Sequence, residues 1–302
     1  MKRPKEHTEL ASLLDGAFQH QVNLILATSV SGESAVHTVR VCTKKIRAYL
    51  HLLKKPLGKV RFDTTNLVFR DASRTLRTYR ETEVLYETIS YVEGLHDRDF
   101  TPGNAERLRL DLRLGEPQSG LDEALASIHN DVHAEREALP IATLNVKWPY
   151  IASALKRTYH RNKNAFANAV RQPNSVNLHE WRKQAKRLEY QIAILQPIWP
   201  KHIDRLKHEL AQLTDTLGHI HDLSILKKRL AALDEAGSTE ATKRARHLIR
   251  NHRRKLLRDV FDKGHSICAK PASEFETDLN RHWEDQKGLR APLVPVPTKM
   301  DA

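Results

Sequence analysis

One basic helical device is written twice in this chain. His37-x-x-Arg40-x-x-x-Lys44-Lys45-Ile46 recurs as His179-x-x-Arg182-x-x-x-Lys186-Arg187-Leu188, and each copy runs into an apolar tail, Leu50-Leu52-Leu53 and Ile192-Ile194-Leu195. At about 100° per residue, His37, Arg40, Lys44, Arg47 and His51 fall within about 80° of one helical face. Val39, Cys42, Ile46, Tyr49, Leu50 and Leu53 take the opposite side, the stripe such a helix buries. In the second copy His179, Arg182 and Lys186 keep the same three angles, and Trp181, Leu188, Ile192 and Leu195 keep the apolar arc. The repeat therefore sets both an element and its orientation, a cationic face backed by core.

A second echo supports a duplication. Leu76-Arg77-Thr78-Tyr79-Arg80-Glu81 and on to Leu85 aligns with Leu217-Gly218-His219-Ile220-His221-Asp222 and on to Leu226, in the same order and at nearly the same offset. Two ordered echoes predict two similar halves, assembled as two four-helix bundles about an approximate two-fold axis. Leu, Ala, Arg, Lys and Glu dominate and glycine is scarce, while alternating strand patterns ending in Asn-Gly are absent, so the fold class is all-α. With 40% apolar residues the chain can build a real core.

The expected helices of the first half (1–140) are Thr8 to Val30, Ser34 to Leu53, Asp63 to Val92 and Gly120 to Leu139, with Gly94 to Gln118 the most irregular stretch. Ser31-Gly32-Glu33, Lys55-Pro56-Leu57-Gly58 and Gly115-Glu116-Pro117 supply punctuation. Pro140 and Trp148-Pro149 mark the junction to a second half (141–270): Tyr150 to Arg171, Ser175 to Leu195, Lys201 to Ala236 and Thr239 to Cys268, the last two parted at Gly237-Ser238. Ser34, Asn174 and Ser175 are candidate helix caps. The tail (271–302) is expected to hold a short helix near Phe275 to Trp283 and then an irregular run through Pro292.

A formal charge of +13 attracts anions at long range but does not choose among nucleic acid, phosphate polymer and acidic membrane. Cys42 and Cys268 lack metal-ligand spacing and read as core thiols. The basic start Met1-Lys2-Arg3 leads into an amphipathic stretch with Asp15, Gln19 and His20, not a signal sequence. No run approaches the roughly 20 apolar residues of a membrane span, and cytoplasmic placement is the expectation.

A merely solvated face tolerates mixed signs and drifting positions. Here the His, Arg and Lys angles persist while intervening residues change, and like charges in helix register repel, so an anion is expected to compensate them. Arg40 and Arg182 offer planar forks to phosphate oxygens, Lys44 and Lys186 compact cations, and His37 and His179 rings that gain charge beside phosphate. Glycine-rich phosphate loops and dinucleotide fingerprints are absent. Aromatic content is 6% with none on the first basic arc, which argues against stacking single-stranded bases. An anion that is all phosphate and no base fits best.

At these residues the chain resembles the conserved histidine α-helical domain (CHAD) family, whose first pattern is close to H-x-x-R-V-x-x-R-R-x-R; here it reads His37-x-x-Arg40-Val41-x-x-Lys44-Lys45-x-Arg47. The second, close to H-x-x-R-K-x-x-K-R-L-R-Y, is matched by His179-x-x-Arg182-Lys183-x-x-Lys186-Arg187-Leu188-Glu189-Tyr190, and His221-Asp222-Leu223 resembles an N-D-L-x-x-L segment. The likeness runs from about Thr8 to Cys268. It implies a pair of four-helix bundles around a basic pore or groove that binds inorganic polyphosphate, with an association with polyphosphate granules. It implies a binding set of His37, Arg40, Lys44, Arg47, His179, Arg182, Lys183 and Lys186, no catalytic or metal-ligating residue, and no cofactor. Glu189 stands where the family has arginine, and Arg80-Glu81-Thr82 matches N-D-L poorly.

Arg157, His160 and Arg161, on the helix before the second motif, share a face and are candidates to add cations. The cluster of Arg246, Arg250, Arg253, Arg254, Lys255 and Arg258 is a further one. Two other functions compete. A nucleic-acid binder would present a convex basic helix outward, with salt-sensitive affinity for duplex DNA. A metal-dependent phosphohydrolase would use His219-x-His221-Asp222, but the two histidines lie about 200° apart on a helix and only the adjacent His221-Asp222 pair suits a metal.

Overall fold

The computed structural model describes residues 6–28, 33–95, 100–112, 114, 119–198, 200–234 and 239–287. Among them are eleven α-helices, one short 3₁₀ turn (Ile141–Thr143) and no strand. The chain is all-helical, as its composition predicts. The first helices are α1 (Glu6–Leu26), α2 (Glu33–Leu57), α3 (Lys59–Thr75), α4 (Arg77–Glu93), α5 (Pro102–Asp111) and α6 (Leu121–Ala138). After the 3₁₀ turn come α7 (Trp148–Arg171), α8 (Ser175–Ala193), α9 (Pro200–Asp234), α10 (Glu240–Ile267) and α11 (Ala272–Lys287). Expectations at Val30, Ser31-Gly32, Gly115-Glu116-Pro117, Gly237-Ser238 and the tail past residue 287 lie outside the described residues, as does the Ser34 side chain.

The two motif helices, α2 and α8, pack directly on each other. Their apolar arcs are buried as the periodicity predicts: Val39, Ile46, Leu50 and Leu53 in α2, and Trp181, Leu188 and Ile192 in α8, are all closed to solvent. Gln191 Nε2 crosses the seam to donate to the Ala48 carbonyl (3.0 Å). Around this pair, α2 packs on α1 and α3 while α8 packs on α7 and α9. At the start of α8 Asn174 is the cap, its Oδ1 accepting from the Asn177 amide (2.9 Å). Gly58, at a left-handed φ of 75°, turns the chain directly from α2 into α3, and Pro56 sits in the last turn of α2.

Two elements differ from the sequence expectation. The third helix of the first half is two, α3 and α4, parted at Leu76 (φ −84°, ψ 10°), whereas its counterpart α9 runs unbroken. No glycine or proline marks the break, and the Leu76 side chain is fully buried there. Within the stretch expected to be irregular, Thr101 and Asn104 form a capping box with Pro102 at the first turn, which starts α5. Ala105 and Leu108 of α5 join Leu85, Ile89, Val92, Leu223, Leu226, Leu230, Ala245 and Ile249 in an apolar cluster built from α4, α5, α9 and α10. Packing thus continues across the middle of the sequence.

Cys42 and Cys268 are buried free thiols, and burial pushes their pKa values up to about 11 and about 12. Beyond the second half, α11 lies on α7 through stacked rings, Trp148 on Trp283 (4.5 Å) and Tyr159 on Phe275 (4.3 Å). No helix among the described residues is long and apolar enough to cross a membrane.

Candidate anion-binding site

The packing of α2 on α8 brings the two basic faces together, and Lys44 is where they meet. Burial, followed by the charges of Arg40, Arg182, Arg80 and Lys186, pushes its pKa down to about 7. Two of those four cations come from the other motif copy and one from α4. Lys44 has no ion pair with any described residue.

Each copy ties down one cation and leaves another unpartnered, in opposite order. In the first, Arg40 Nη1 donates to the Ser73 carbonyl (2.5 Å), one of the last four carbonyls of α3, where the helix leaves acceptors open and its dipole favours a cation. The break at Leu76 makes that acceptor available. In the second copy α9 is continuous, and Arg182 lies instead over Gly218, where a Cβ would stand 3.3 Å from its Nη2. Arg182 Nε is buried with no hydrogen-bond partner. Lys186, the counterpart of Lys44, is tied: Nζ is 3.0 Å from Glu189, 3.6 Å from Asp215 and 3.1 Å from Thr214 Oγ1. Glu189, the departure from the family pattern, therefore pairs internally and also accepts from Thr214 Oγ1 (2.5 Å). Buried polar groups normally find partners; Lys44 and Arg182 are the two cations of this site that none of the described residues satisfies.

The histidines flank this centre. His37 keeps solvent exposure, and partial desolvation of its ring, then Arg80, with Lys44 and Arg40 adding, lower its pKa. His179 stacks on His221 (4.4 Å), and its Nδ1 is buried without a partner. Burial, then His179, Arg182 and Lys44, push His221 down to about 4. Neighbouring Asp222 is raised, chiefly by burial, against Arg182 and Arg80. His219 is turned away, its ring 4.8 Å from Tyr91, so His219 and His221 do not converge. Among the described residues no group of three His, Cys, Asp or Glu could hold a metal ion.

Arg47, within one turn of Lys44, opens a second cationic group. Its Nε donates to Asn66 Oδ1 (3.0 Å), and it acts with Arg161 on Arg187, whose pKa burial and these two charges push down to about 10. His51 sits among the same three arginines and is pushed down to about 3, first by burial. Arg161 thus joins this group from α7. Arg157 is exposed and donates to Ser153 Oγ (2.7 Å) on its own helix. Lys183 pairs with Glu180 (2.7 Å). The α10 cluster stands on a helix that packs chiefly on α9.

Sequence reasoning did not assign Arg80, Arg187 or Gly218 to this site, and weighed His221 only within the His221-Asp222-Leu223 segment and as a metal ligand. The signal for three of them was the second echo, which aligns Arg80 with His221 and includes Gly218; the signal for Arg187 was its place in the second motif. Burial works against the Arg80 charge, but bonds to Glu83 (2.9 Å) and a two-pronged grip on Glu87 (3.0 and 2.9 Å) outweigh it and raise its pKa.

Two packed helices of an all-helical chain thus pool cations that none of the described residues pairs. The family model for the CHAD domain matches residues 12–231, and the chain belongs to that family. No curated protein matches it.

Proposed function

We propose that the chain binds inorganic polyphosphate between α2 and α8, as a binding protein and not an enzyme, in a basic groove shared by two halves (1–140 and 141–270) related by a pseudo-two-fold axis. The observation that carries this reading is Lys44, a largely buried ammonium surrounded by four cations. Such a group is expensive to bury unpaired, and a polymer of closely spaced phosphates supplies the missing charge along the whole row. Phosphate oxygens would take Lys44 and Arg182 first, then His37, His179 and Arg40. The group of Arg47, Arg161 and Arg187 would hold the next part of the chain, with Lys183 and Arg157 at its exposed margin. A tail helix beyond the two halves covers α7. Family membership supports a polyphosphate-related role, and the proposal extends to association with polyphosphate granules in the cytoplasm.

The test is the affinity for long-chain polyphosphate of the wild type and of Arg40→Ala/Arg182→Ala. Each substitution is expected to weaken binding by about 1 to 3 kcal/mol, the scale of a charge-assisted contact, with helicity unchanged. Excess duplex DNA should not displace the polymer. Wild-type affinity in the double variant would refute the site, and metal-dependent phosphate release would refute the non-enzymatic reading.

A further inference from the structure

α10 carries a second concentration of charge, on the outside of the molecule. Between Glu240 and Asp259 it has eight Lys and Arg and no acid, against +13 for the entire chain. Lys243, His247, Arg250, Arg254 and Arg258 are all exposed and fall within about 80° of one face, opposite the buried Ala245, Leu248 and Ile249. They form a straight seam of about 22 Å at 1.5 Å per residue.

Several exposed arginines on other helices are neutralised one turn away: Arg77 by Glu81, Arg107 by Asp111, Arg205 by Glu209. On α10, Lys243, Arg254 and Arg258 have no acidic partner among the described residues, and Arg250 contacts only the neighbouring His247 ring (3.2 Å). Successive seam positions are three or four apart, so their charges repel. An exposed convex face cannot enclose a flexible polymer as the α2–α8 seam can, but it can lie along a broad, rigid polyanion. None of the large apolar side chains that are exposed belongs to α10, so the helix has nothing to insert into a lipid surface. No aromatic stands on the seam to stack unpaired bases.

We infer that the outward seam of α10 binds the phosphate backbone of duplex DNA without reading its sequence, at a surface separate from the α2–α8 site. Arginine forks suit phosphodiester oxygens. Four phosphates neutralised by Lys243, Arg250, Arg254 and Arg258 would give log K a slope of about −3.6 against log salt. The surface does not depend on the polyphosphate reading.

The experiment measures binding of the full chain to a 30-base-pair duplex by fluorescence anisotropy across a salt series. Arg250→Gln/Arg254→Gln/Arg258→Gln is expected to reduce the slope by about 2.7 and to weaken binding at least tenfold at low salt, while polyphosphate affinity stays within twofold. Arg40→Ala/Arg182→Ala should leave DNA binding unchanged. An unaltered DNA slope in the triple variant overturns the inference. So does an equal loss of polyphosphate binding, which would make the seam part of the first site. Capture by phosphatidylglycerol vesicles without DNA binding would assign the seam to a membrane surface instead. All three side chains are exposed, and circular dichroism checks that the fold is intact.

Discussion

Lys44→Met separates the binding role of the central cation from its cost to the fold. Burial among four cations takes the Lys44 pKa from 10.5 to about 7. At about 1.4 kcal/mol per tenfold change in proton affinity, this corresponds to about 4 kcal/mol of destabilisation at neutral pH without screening. The side chain keeps some contact with solvent, so about half of that, ~2 kcal/mol, is expected. Methionine fills a similar volume without charge. The variant should therefore melt roughly 4 °C higher than the wild type, yet bind polyphosphate at least tenfold more weakly. The sign follows from the depressed pKa. The penalty is full below about pH 7, where Lys44 is charged in both folded and unfolded chains, and it fades as pH rises towards 10.5. Differential scanning fluorimetry at pH 6.5 and pH 9, with and without polyphosphate, reads both effects. A variant less stable than wild type at pH 6.5, or one that binds with undiminished affinity, would refute the reasoning.

Glu189→Gln should release Lys186 and strengthen polyphosphate binding by roughly threefold to tenfold, the scale of a partly buried pair; titration calorimetry measures it, and weaker binding would show that Glu189 positions Lys186 for the ligand. Gly264→Ala should cost about 1 to 3 kcal/mol in urea unfolding, because the new Cβ would overlap the Phe166 ring and stand 2.8 Å from Trp181. Bound phosphate should restore the proton to Lys44, so affinity should fall by up to tenfold per pH unit above about 7. Proton uptake measured in two buffers of different ionisation enthalpy checks this, and affinity independent of pH between 7 and 9 would contradict it.

Much of the site was legible because a helix converts spacing into direction. The angles of His37, Arg40 and Lys44, and of their partners in the second copy, place cations on one side and core on the other, and the buried stripes of α2 and α8 follow them. The Asn174 cap was also readable. What spacing cannot give is the identity of tertiary partners. That Arg40 takes the Ser73 carbonyl depends on a break at Leu76, which no glycine or proline announces. That Arg182 has room depends on Gly218, 36 residues further along. The helix α5 was hidden by its polar surroundings, although Thr101-Pro102 is a local start signal. The opposite order of tied and unpartnered cations in the two copies has two sources: Glu189, which the repeated motif records and which ties Lys186, and the break between α3 and α4 where α9 is continuous, a difference of packing that the motif does not record.

The most direct measurement is a crystal structure of the chain with a polyphosphate of defined length. The account predicts phosphate density between α2 and α8, with oxygens within hydrogen-bond distance of Lys44 and Arg182 and the chain continuing towards Arg47 and Arg187. Phosphates found only on outward surfaces such as α10, with the Lys44 and Arg182 side chains unchanged and untouched, would contradict it.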